Sequence, residues 1–135
     1  MAIVEYAKSF VGTGYRYGGR DKTGFDCSGF TCHVMNHFGI SIPVTSKLQS
    51  DQGQKIHWKK AQPGDLIFFG RRGKINHVGI VTQNTGRKIY VVHSTSSSGV
   101  KVDEIVNNAY WAPRIFGAAS YLNRPRLRWE STGED

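Results

Sequence analysis

The sequence predicts an α+β domain, with N-terminal helices packed on a central antiparallel β-sheet. Three observations carry that expectation. Apolar residues recur at helical spacing as far as Phe38. From Pro63-Gly64 onward they come instead in short runs bounded by turn residues, the pattern of strands. The chain has 135 residues, 39% hydrophobic and 21% charged, enough for one domain with its own core and unlike a disordered polyelectrolyte or a coiled coil.

Residues 2–11 place Ile3, Ala7, Phe10 and Val11 on one helical face, and Gly12 stops the run. Residues 12–26 are glycine-rich, with Tyr15 and Tyr17 among the glycines, and read as a structured loop. Cys27 to Phe38 repeats Phe30, Val34 and Phe38 every fourth residue, with Asp26 placed as N-cap and Gly39 just past the end. After the Pro63-Gly64 turn, Asp65–Phe69, Asn76–Thr82 and Lys88–His93 read as strands, with fainter patterns at Val100–Val102 and Ile115–Leu122. The domain is expected over residues 1–122, followed by a polar, loosely held tail over 123–135.

Lysine and arginine number 18 against 10 acids, a net charge of +8. Such a surface favours polyanions, but the basic residues are dispersed and match no nucleic-acid-binding motif. A solubilising surface and no nucleic-acid partner are expected. No apolar run is long enough to span a membrane, and no charged-then-apolar leader opens the chain. The start at Met1-Ala2 fits either a native start or a trimmed leader.

The chemistry concentrates around Cys27. In the first turn of a helix, unsatisfied N–H groups and the helix dipole favour the thiolate, and the same N–H groups suit a developing oxyanion. A lone cysteine is more often a small buried hydrophobe, so a base is needed to change the reading. His77 and His93 supply it. They stand on two predicted strands joined by a turn, and a regular hairpin centred on Thr85 makes them direct cross-strand neighbours on one face. His77 then serves as base for Cys27 and His93 orients its ring. Cys32, five residues from Cys27, points elsewhere, so a disulfide is not expected and Cys32 reads as core. His33 and His37 have metal-compatible spacing but no third ligand, and read as a solvated helix face.

Tyr15-Arg-Tyr-Gly-Gly19, Asp26-Cys-Ser-Gly-Phe30, Pro63-Gly-Asp-Leu66, His77-Val-Gly-Ile80 and His93 together resemble the NlpC-type cell-wall endopeptidases, papain-like cysteine peptidases that cut peptidoglycan stem peptides. The resemblance runs from Ala2 to Leu122. It implies a papain-like fold, a Cys27–His77–His93 triad, a Tyr15 that lines the site and helps to stabilise the oxyanion, and peptide contacts from Asp26 and Ser28. Pro43 is followed by Val44 where the family often has arginine, a departure in the substrate contacts only. The implied reaction is hydrolysis of the bond between γ-D-glutamate and a diamino acid, through a thioester, without metal or organic cofactor. The implied setting is the bacterial cell envelope, with peptidoglycan as partner and a monomer as the working unit. An amidase or acyltransferase on the same scaffold uses the same residues, and a non-catalytic wall-binding module is the third reading.

Overall fold

Helices and strands separate where the apolar spacing changes. The computed structural model describes residues 1–122; the tail expected over 123–135 lies outside them. Helix α1 (Ala2–Lys8) is shorter than the apolar run that marks it, and Gly12 follows at φ +99°. A small hairpin, β1 (Arg20–Asp21) with β2 (Gly24–Phe25), lies inside the segment read as loop. Helix α2 (Cys27–His37) stands where expected, with Phe38 as C-cap and Gly39 left-handed at φ +75°.

Helix α3 (Ser46–Gln52) is absent from the sequence reading for a physical reason. Its one large apolar residue, Leu48, is exposed, whereas Gln49 and Ser50 are buried, so its hydrophobic pattern carries no helical signal. Gln49 is accommodated by hydrogen bonds with Thr31, Ser28 and Pro43.

Strands β3 (Gln54–Ile56), β4 (Leu66–Arg71), β5 (Lys74–Asn84), β6 (Ile89–Thr95), β7 (Gly99–Glu104) and β8 (Ile115–Ser120) form one antiparallel sheet, ordered β3-β8-β4-β5-β6-β7. Helices above one antiparallel sheet make the α+β, papain-like architecture. Side chains alternate between its faces. Leu66, Phe68, Val78, Ile80 and Val92 pack under Ile3, Phe30, Val34 and Met35 of the helices. Ile67, Phe69, Val81, Ile89 and Val91 form a second core on the other face, closed by Ile105, Trp58 and Trp111.

The β5–β6 hairpin corrects one expectation. Thr85 and Lys88 close the turn, and the register slips between Val81 and Gln83. Beyond that bulge Val81 pairs with Val91 and Ile80 with Val92, so His77 and His93 are not directly opposed. The net shift is an even number of residues, which keeps both histidines on one face as diagonal neighbours.

Candidate active site

Asp26 builds the start of α2. Its Oδ1 accepts from the Gly29 N–H at 2.6 Å and its Oδ2 from the Gly18 N–H at 3.1 Å. One carboxylate thus caps the helix and fastens the Tyr15–Gly19 loop to it. The loop lies so close that a Cβ at Gly29 would collide with the Gly19 carbonyl. Cys27 is held in the first turn, half-buried and facing β5.

The sheet is open where the sulfur meets it. Pairing of β5 with β6 runs only from Ile80 to Asn84, which leaves the β5 backbone around His77 accessible on that side. Cys27 Sγ lies 3.9 Å from the Asn76 carbonyl oxygen, and the Val78 N–H favours its anion. The thiol therefore sits on the peptide groups that flank His77.

A chain of hydrogen bonds runs away from His77. Its Nε2 is 2.8 Å from His93 Nδ1, and His93 Nε2 is 2.8 Å from Asp103 Oδ2. Gly79 makes room for this diagonal, since a Cβ there would lie 3.1 Å from the His93 Cβ. An ionised carboxylate only accepts, so His93 donates from Nε2. Neutral His93 then accepts at Nδ1 from the Nε2–H of His77, which leaves His77 Nδ1 with a free lone pair. His93 is completely buried, and Lys101 Nζ stands 3.4 Å from the other Asp103 oxygen. Trp111 stacks on His77 with ring centroids 4.9 Å apart and planes 22° apart.

The electrostatics correct a second expectation. Burial, reinforced by the Asp26 carboxylate, pushes the Cys27 thiol above its ordinary range; the N–H groups of Val78, Ser28 and Cys27 oppose this without reversing it. Burial and the neighbouring His93 lower His77 to about 3, against a smaller upward pull from Asp103. Both shifts favour the uncharged forms, because burial outweighs the backbone N–H groups around the sulfur.

Tyr15, Cys27 and His77 line one cleft of about 750 Å³, together with Ser94, Asp103 and Trp111 among others. Burial and the nearby Cys27 and Asp26 raise the Tyr15 phenol, so it keeps its proton and remains a donor at neutral pH. Asp26 and Ser28 flank Cys27 but do not line the cleft: Asp26 is occupied as cap, and Ser28 is 8% exposed. Cys27 and Cys32 are both free, and Cys32 is buried as expected. Of the two histidines expected on a solvated helix face, His37 is exposed, with its ring stacked on Tyr6 of α1 at 3.9 Å, whereas His33 is half-buried with its Nε2 3.3 Å from the Tyr6 hydroxyl.

Sequence reasoning missed Asp103 and Trp111. Asp103 shares the face of His93 only through the β6–β7 register, in which Lys101, two residues before it, pairs with His93. Trp111 lies in an irregular segment and left no signal.

The "Probable endopeptidase p60" of Listeria innocua is 40% identical over 116 residues, covering 86% of this chain and 24% of that protein, so the match spans about a quarter of the relative's length. The "Murein DD-endopeptidase MepS/Murein LD-carboxypeptidase" of Escherichia coli K12 is 32% identical over 90% of this chain and 63% of its own length. The crystal structure of an NlpC/P60 family protein from Bacillus cereus ATCC 10987 superposes with a TM-score of 0.82 at 30% identity, covering 90% of this chain and 39% of that one. The family model for NlpC/P60 matches residues 12–120, and with the Cys27–His77–His93 constellation seated in that same span, the chain belongs to the NlpC/P60 family.

Proposed function

We propose that this domain is a cysteine endopeptidase that hydrolyses peptidoglycan stem peptides at the bond between γ-D-glutamate and a diamino acid. The observation that carries the reading is the shared cleft of Cys27 and His77, with the imidazole braced through His93 to Asp103. His77 Nδ1 takes the thiol proton as the sulfur attacks the carbonyl, so charge develops only with substrate in place. Backbone N–H groups at the start of α2 and the Tyr15 hydroxyl stabilise the oxyanion. The imidazolium is compensated by Asp103 through His93 and then protonates the leaving amine. Water, activated by the same ring, hydrolyses the thioester. Asp26 and Ser28 support peptide binding from behind the sulfur, by holding the loop and the helix start.

The substrate places the site in the cell envelope, and a single copy contains every group the mechanism uses. Digestion of purified peptidoglycan with mass spectrometry of the fragments tests the assignment. The new amine is expected on the diamino acid, and Cys27→Ala should abolish its release without unfolding the protein. A second reading has specific support in the E. coli relative, whose name specifies a DD-endopeptidase and LD-carboxypeptidase; new ends at a D-alanine would favour it. A new amine on the L-alanine joined to the sugar would indicate an amidase, and no release at all a wall-binding module.

A further inference from the structure

Past His77 the cleft runs into a basic recess. Gly70, Arg71, Arg72, Pro113 and Arg114 line a cavity of about 330 Å³. Arg71 and Arg114 also line the catalytic cleft, so the recess adjoins it. Arg71, Arg72 and Arg114 all line that recess and no carboxylate does; Asp103 of the adjoining cleft is engaged by His93 and Lys101. Among the described residues, the ion pairs are those of Lys47 with Asp51 and of His93 and Lys101 with Asp103. Like charges held together repel, and an anion entering between them relieves that repulsion.

Arg114 is preorganised for such a ligand. One guanidinium nitrogen donates to the Tyr110 carbonyl at 2.5 Å, and the group lies 3.8 Å over the Tyr110 ring. Its remaining N–H groups keep the planar fork that suits a carboxylate. Tyr110 abuts Trp111 edge-on at 4.7 Å, and Trp111 stacks on His77. The arginine is therefore connected by packed rings to the imidazole end of the cleft, whereas Tyr15 belongs to the sulfur end.

The proposed chemistry orients the substrate along this axis. His77 must hand its proton to the departing amine, so the departing residue lies over the imidazole and Trp111. Resting on that proposed function, we infer that Arg71 and Arg114 form a carboxylate subsite for the departing half of the substrate. It accepts a diamino acid whose side chain ends in a free carboxylate and disfavours one that ends in a bare ammonium. Attraction to the first and repulsion of the second both contribute to the selectivity.

Two matched synthetic peptides test this, L-Ala-γ-D-Glu linked to meso-diaminopimelate or to L-lysine. The intact protein should show the higher kcat/KM on the diaminopimelate peptide. The double variant Arg71→Ala/Arg114→Ala should lose about tenfold or more on that peptide and little on the lysine peptide. Equal loss on both, or a wild-type protein that cuts both equally, overturns the subsite and leaves the endopeptidase reading standing. A second readout is independent of turnover: free meso-diaminopimelate, but not L-lysine, should shift the Arg114 side-chain NMR signal in Cys27→Ala protein. Should the wild type cut neither peptide while that shift is seen, the bond assignment fails and the subsite stands. No shift overturns the subsite. Both arginines lie at the surface end of their elements, and a matching circular dichroism melt confirms that the double variant is folded.

Discussion

The face of the sheet under α2 and the face under Trp111 use alternate residues of the same strands but hold different chemistry. Under the helices the strands contribute Leu66, Phe68, Val78, Ile80 and Val92, all fully buried and apolar. On the opposite face the apolar row of Ile67, Val81 and Val91 gives way to His77, His93 and Asp103. The contrast shows how a small domain carries a buried polar relay. Two helices and half the sheet supply most of the apolar burial, and the other half can then hold groups that must be hydrogen-bonded to be tolerated. Among the described residues no buried side-chain nitrogen or oxygen lacks a hydrogen-bond partner. Cys27 lies against the β5 backbone at Asn76 and Val78, beyond the last β5–β6 pair.

This division predicts that stability and activity come apart. His77→Ala is expected to lower kcat/KM on a muropeptide by roughly a thousandfold or more, while thermal unfolding stays close to wild type. A melt that collapses would mean that the polar face is as structural as the other. Phe68→Ala, on the helix side, should cost about 3–5 kcal/mol of unfolding free energy in a urea titration. The fraction still folded at low temperature should keep its kcat.

Asp103→Asn sharpens the comparison within the relay. The substituted amide can still accept from His93 but carries no charge, and the Asp103 charge raises His77. Its loss should reduce kcat by roughly tenfold, leave KM in place, and move the acid limb of the pH–rate profile lower. An unchanged profile would reduce Asp103 to a packing role.

The last effect, confined to acid pH, is in stability. His77 sits near 3 in the folded protein against an ordinary value of 6.5. Between those values the unfolded chain binds a proton that the folded one does not, so this residue makes stability fall as pH drops from 6.5 toward 3. His77→Gln should flatten that window in chemical denaturation, with no change above about pH 7.

Local signals made α2 and the main strands legible. Asp26 caps where the sequence places it, and Phe30 and Val34 face inward at their helical spacing. Helix α3 was hidden because its buried side chains are polar, and β1 and β2 because two-residue strands have no period to detect. The histidine pair was legible as sharing a face but not as a diagonal, because the bulge near Thr82 changes the register without any distinctive residue.

By itself the amino-acid order determined the helix that starts at Cys27, the alternation that puts both histidines on one face, and the family motifs around them. These depend on neighbours a few residues away. Tertiary structure alone decided that the sulfur sits against the peptide groups flanking His77, that Asp103 completes the relay, and that burial works against the thiolate. Those outcomes depend on strand register and on exclusion of water, which arise only when distant segments pack together.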